Sequence, residues 1–140
     1  MTTSAKLGAG TLLKRGDGAS PEVFTTIPEI FSITGPSGAT DLKDATHMQS
    51  VAKEYILGLP DFGEYAVEMN WIVNNTVQEG LRSDFINRVT RNFKLEDHGA
   101  SPAEVWTIVG LVTGFSLAFP ADDKVVATVT IKITGAPTIV

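Results

Sequence analysis

Two stretches of this chain alternate residue by residue between dry and wet side chains, and that period constrains the fold more than any other feature. In residues 64–72, Tyr65, Val67, Met69 and Trp71 fall on one side, and Glu64, Ala66, Glu68 and Asn70 fall on the other. In residues 125–134, Val125, Ala127, Val129, Ile131 and Ile133 alternate with Val126, Thr128, Thr130, Lys132 and Thr134. Successive side chains of a strand point to opposite faces, so a period of two means a strand with one face packed and one face solvated. Sheets with one solvated face are antiparallel sheets.

The rest of the chain supplies further strands and one helix. Residues 11–15 and 23–27 read as two strands joined by a turn at Gly16-Asp17-Gly18. Residues 30–34 resume the β-branched pattern, and Gly35-Pro36-Ser37-Gly38 breaks it. Residues 87–95 read as another strand, ending at Glu96-Asp97-His98-Gly99, and residues 105–119 as one long strand or two short ones. The helix is predicted over about Thr76–Phe85. There Thr76 and Glu79 have capping-box spacing, and Val77, Leu81 and Phe85 recur every four residues as an apolar stripe.

The expected fold class is therefore mainly β: an antiparallel β-sandwich or partly closed barrel with one flanking α-helix, in a single domain spanning residues 1–140. Three segments lack core signals. Residues 1–10 read as a flexible N-terminal arm rather than a secretory leader, and residues 136–140 as a C-terminal tail. Both are expected to be disordered in the monomer and to order on assembly. Residues 35–62 read as a long loop region, because 41–59 have no clean period and leave room for one short strand at most. Loops of that length are uncommon in compact domains and usually carry function.

Composition narrows the function. The chain has no cysteine, which excludes a disulfide scaffold, thiolate zinc sites and a cysteine nucleophile. Its net charge of -5 argues against a module that grips nucleic acid. Only 19% of residues are charged while 43% are hydrophobic, against about a quarter charged in typical soluble domains. That imbalance implies that something else covers part of the surface. The longest apolar-leaning stretch, residues 105–120, is interrupted by Thr107, Gly110, Thr113, Gly114 and Ser116, so no membrane partner is expected.

The search for reactive constellations yields none, and no catalytic residue, metal ligand or cofactor is expected. His47 and His98 have no ligand-spaced partners and read as surface loop histidines. Ser116 in Gly114-Phe115-Ser116-Leu117-Ala118 lacks the strand-to-helix turn of a nucleophile elbow. Gly8-Ala9-Gly10 is not followed by a phosphate-binding helix. Asp122-Asp123 has too few oxygen donors for calcium and reads as a turn. Arg15-Gly16-Asp17 spells an adhesion tripeptide but reads as hairpin chemistry. Asn74-Asn75-Thr76 spells a glycosylation acceptor, although Thr76 is expected as a helix cap.

The chain resembles the major tail tube protein family of long-tailed, siphovirus-type bacteriophages over nearly its whole length. The likeness is carried by Gly10-Thr11-Leu12-Leu13 and by the run from Arg15-Gly16-Asp17-Gly18 through Ser20-Pro21-Glu22-Val23-Phe24 to Ile27. It continues in Gly35-Pro36-Ser37-Gly38, in Lys53-Glu54-Tyr55-Ile56-Leu57-Gly58-Leu59, and in Asp61 with Gly63-Glu64. The strand from Gly110-Leu111-Val112-Thr113-Gly114-Phe115 to Phe119 and the final strand to Gly135 complete it, and residues 73–105 match least.

This resemblance implies the phage tail tube fold and a structural virion protein. Six copies would form a ring, and rings would stack into a hollow tube that delivers the genome to the host. The likeness is to the non-contractile tube more than to the sheathed one. It further implies assembly in the host cytoplasm, a tape measure protein in the lumen, and tail terminator and tail tip proteins at the ends. Viral DNA would pass in transit without specific binding. A ring of six at -5 each carries about -30, which suits a wall that DNA slides past. On this reading Glu64, Glu68 and Asn70 are candidates to line the lumen. The loop residues Asp41, Lys43, Asp44, His47, Lys53 and Glu54 are candidates to reach the next ring. The alternative is a monomeric β-sandwich module that binds a carbohydrate or peptide. It would need a concave aromatic cluster, whereas the aromatics here fall largely on apolar faces. A β-barrel enzyme is a weaker third possibility.

Overall fold

A computed structural model describes Thr3, residues 8–99 and residues 102–140 of the chain. The protein is mainly β with one helix, as the alternation predicts. The strands are β1 (Leu12–Gly16), β2 (Phe24–Thr26), β3 (Ile30–Thr34), β4 (Ala39–Asp44), β5 (Tyr55–Asp61), β6 (Glu64–Asn70), β7 (Thr90–Asp97), β8 (Glu104–Ala118) and β9 (Val126–Ile139), and the helix α1 is Thr76–Asn87. Seven strands form one antiparallel sheet in the order β2-β1-β7-β8-β9-β6-β3, and β4 pairs with β5 in a separate two-stranded sheet.

The seven-stranded sheet doubles over at its two longest strands. Strand β7 pairs with β8 only as far as Leu111, while β6 pairs with β9 only from Val126 to Lys132. The β8–β9 ladder carries two register shifts, one at Thr107/Val109 within the stretch that β7 pairs and one at Val112/Gly114 just past its end. Bulges of this kind let a strand leave one layer and enter another. The result is one layer of β3, β6 and the adjoining halves of β9 and β8, and a second of β2, β1, β7 and the remaining halves. Their inner faces meet in a single core. Tyr65, Val67, Met69, Val129 and Ile131 come from the first layer, Leu13, Phe93 and Ile108 from the second, and Leu81 from α1. The alternating residues of β6 and β9 face this core as their period requires.

The helix sits where expected, with a different cap and a different buried face. Its N-cap is Asn75, whose side chain accepts from the N–H groups of Val77 and Gln78, so Thr76 and Glu79 do not form the capping box. Of the predicted stripe only Leu81 is fully buried, and Phe85 is 39% exposed. Gln78 and Asp84 occupy the buried face with it, because α1 packs across polar groups of both layers. Gln78 Nε2 donates to the carbonyls of Asn70 (2.9 Å) and Pro28 (3.2 Å), and its Oε1 accepts from Ile72 N–H (2.8 Å). Asp84 accepts two bonds from Arg15 on β1 (2.7 and 2.9 Å) and one from Arg91 on β7 (2.9 Å). Gly80 faces this pair, and a Cβ there would come within 2.8 Å of the Arg15 guanidinium.

Three other expectations change. The region expected as a long loop, 35–62, contains β4 and β5, which form a ribbon with Leu42 opposite Leu57 and Asp44 opposite Tyr55. The ribbon follows the β3–β6 pair past Gly35-Pro36 and Gly63 and is about 20 Å long, at roughly 3.3 Å per residue. It has no buried residue, hence no dry face and no period to read. The expected tail is strand as well. β9 continues to Ile139 opposite Trp106, and Val140 exchanges backbone hydrogen bonds with Val105. Gly135-Ala136-Pro137 falls in the register shift, where Pro137 interrupts no ladder. The hairpin turn between β1 and β2 is a loop through residues 17–23, closed by the Asp17 carboxylate on the N–H groups of Ala19 and Val23. Most of the expected N-terminal arm lies outside the described residues; Gly8 to Gly10 form a bend and turn closed by Thr11 N–H on the Gly8 carbonyl.

Candidate assembly surfaces

Among the described residues no group of His, Cys, Asp and Glu could hold a metal ion. No helix among them is long and apolar enough to cross a membrane. His98 lies 3.1 Å from Glu96, whose carboxyl is held below its ordinary range chiefly by Lys14. Ser116 is an exposed strand residue, and Arg15 of the adhesion-like tripeptide is committed to Asp84. A cleft of about 580 Å³ separates β3 from residues 8–11 and Leu95, where the two layers stop short of closing. The features that stand out are surfaces: the outward face and edges of the first layer, and the ribbon.

The outward face of the first layer carries the predicted lumen candidates. Glu64 and Glu68 are exposed there, on the side of β6 away from the core, and Asn70 is half-buried with its side-chain amide donating to Glu29 (3.0 Å). Around them the layer presents Ser32, Thr34, Ala66, Thr128 and Thr130, which register places on the same face. The surface is hydroxyl-rich and acidic. Both flanks of this layer have edges that no strand pairs with among the described residues: one side of β3, and β8 beyond Leu111, where β7 ends. Such edges are templates for pairing with another chain.

The predicted loop residues all lie on the ribbon, in two groups. Asp44, His47, Lys53 and Glu54 fold its tip onto itself. Lys53 pairs with Asp44 (3.7 Å) and His47 with Glu54 (3.2 Å), while Ser50 also bonds Glu54. The Thr46 side chain and backbone N–H, then Lys53, hold the Asp44 carboxyl below its ordinary range. Asp41 and Lys43 are exposed along β4.

Sequence reasoning missed the ribbon's apolar side chains. Leu42, Tyr55 and Leu57 share one face, and Leu57 is 72% and Leu59 93% exposed, with Ile56 exposed on the other side. The signal was present in the Ile56-Leu57-Gly58-Leu59 run, which is too apolar for a free loop. A two-stranded ribbon alone is marginally stable in water, and this one displays apolar area instead of burying it.

Residues 9–140 match the family model described as lambda phage tail tube protein. No curated protein sequence matches the chain significantly. Among solved structures, a chain from the tail of an empty gene transfer agent particle, refined with C6 symmetry, is similar at a TM-score of 0.77 and 15% identity, covering 97% of this chain and 99% of that one. A chain of the SPP1 tail tube is similar at 0.74 and 8% identity, covering 96% and 78%. A chain of the sheath/tube terminator of an extracellular contractile injection system is similar at 0.74 and 12% identity, covering 100% and 99%. At these identities the likeness is one of fold.

Proposed function

The chain belongs to the lambda phage tail tube protein family, and from that premise we propose that it assembles as hexameric rings stacked into the hollow conduit through which the phage genome leaves the particle. Its role is structural rather than enzymatic, and it is a component of the virion. The observation that carries the proposal is the apolar ribbon standing off a well-packed core. A ribbon without a dry side of its own is suited to burial against other copies, and one that projects from the end of the sheet is suited to reach the next ring. Asp41 and Lys43 lie with Ile56 on the ribbon's other face and would fix register there.

Within a ring, the unpaired edges of β3 and β8 lie on opposite flanks of one layer. This arrangement suits a head-to-tail contact that closes by rotation. The sixfold symmetry of the similar gene transfer agent tail supports six copies. The outward face of that layer, with Glu64, Glu68 and Asn70, then lines the lumen. Its acidity lets duplex DNA pass, because a wall without displayed cations releases no counterions on contact. A tape measure protein occupies the lumen during assembly in the host cytoplasm, and terminator and tip proteins cap the ends. The likeness to a tube terminator chain supports partners of that kind.

Light scattering and negative-stain microscopy of the purified protein test this directly. Rings or tubes are expected to form as concentration rises. A monodisperse monomer at every concentration would overturn the proposal and favour a binding module.

A further inference from the structure

The four strand segments of the layer assigned to the lumen contain a single cation, Lys132. It stands directly across from Glu64, yet its ammonium reaches instead to Asp61 at the end of β5, with Nζ 2.7 Å from Oδ1. Asp61 is built to receive it. The same oxygen accepts from Gly63 N–H (2.8 Å), and the Gly63 carbonyl accepts from the N–H of Ile133, the neighbour of Lys132 (3.0 Å). Gly63 holds this turn at a φ of 77°, and a Cβ there would collide with the Ser37 carbonyl.

Both partners are substantially solvated, so the pair adds little to stability. What it controls is where positive charge is displayed. We infer that Asp61 masks Lys132: the ribbon's root captures the one lysine of these strand segments and leaves Glu64 and Glu68 as the strand charges that passing DNA meets. This inference rests on the lumen assignment proposed above. Lys132 and the Gly63 N–H hold the Asp61 carboxyl below its ordinary range, so it is ionised at neutral pH.

Asp61→Asn keeps an acceptor for Gly63 N–H and removes the charge that captures Lys132. Adding Glu64→Gln removes the other carboxylate within reach. Tubes are pelleted with a fluorescent 20-base-pair duplex at 50 mM salt. Wild-type and E64Q tubes are expected to leave the duplex in solution, because Asp61 still masks the lysine. D61N/E64Q tubes are expected to retain it, and retention should weaken about tenfold or more by 200 mM salt, as for two or more lysine–phosphate contacts. Adding Lys132→Gln should abolish retention.

D61N/E64Q tubes that release the duplex like wild type would overturn the masking role. If that variant does not assemble alone, tubes co-assembled with wild type carry the same readout. Its exclusion from those tubes, together with that of the triple variant, would assign Asp61 to assembly and also overturn masking. A gold label on Lys132→Cys separates the two claims. A label on the outer wall refutes the lumen assignment, whereas an inner label with no retention refutes only the masking.

Discussion

A chain lacking residues 41–59, with Thr40 joined to Pro60 through an Asn-Gly turn, is expected to melt within about 4 °C of the parent and to form no tubes. Thr40 and Pro60 are cross-strand partners, so a two-residue loop can close the shortened ribbon between them. Stability should hardly change, because the core draws on β1, β6, β7, β8, β9 and α1 and on no residue of the excised segment. Assembly should fail because the excision removes Leu42, Tyr55, Ile56, Leu57 and Leu59. Their burial between copies is worth on the order of 5–10 kcal/mol per copy before association costs. A graded version, Leu57→Ser with Leu59→Ser, should raise the critical concentration for assembly at least about tenfold. Thermal melts and electron microscopy of the same samples read both halves of the prediction. Normal tubes from the shortened chain would exclude the ribbon as the stacking element.

Asp84→Ala is expected to cost about 3–5 kcal/mol, a fall in melting temperature of roughly 10–15 °C. Asp84 is 1% exposed and is the shared counter-charge of two arginines from neighbouring strands. Removing it leaves two partly buried guanidiniums facing each other without compensation and frees α1 from the second layer. Arg91→Ala should cost much less, about 1–2 kcal/mol, because Arg15 still engages both carboxylate oxygens. Urea titrations of the two variants give the comparison. A loss below about 1 kcal/mol for Asp84→Ala would show that apolar packing around Leu81 alone holds the helix.

What could be read from the sequence follows from which faces are buried. Strands β6 and β9 declared themselves because each has one dry face, and a register error of one residue would expose Tyr65, Val67, Ala127 and Val129 together. The helix was legible in position, since a polar cap precedes a periodic segment. Its buried face was not, because Gln78 and Asp84 are buried by hydrogen bonds that a count of apolar residues cannot register. The ribbon was invisible as structure for the opposite reason: none of its residues is buried in the single chain, so neither face selects a pattern. Its six predicted residues do lie on it, but four fold the tip, and the apolar side chains beside them are the more consequential surface. Glu64 and Glu68 lie on the solvated face as their alternation requires. Lys132 was equally visible in sequence. Its capture by Asp61 depends on a turn that brings two residues 71 positions apart into contact.

A helical reconstruction of the assembled tube decides between this arrangement and any other. The expected map shows sixfold rings in which β3 of one copy lies beside β8 of the next, Glu64 and Glu68 line the inner wall, and the β4–β5 ribbon crosses to the adjacent ring. A tube with those carboxylates on its outer wall, or with the ribbon free in solvent, would contradict it.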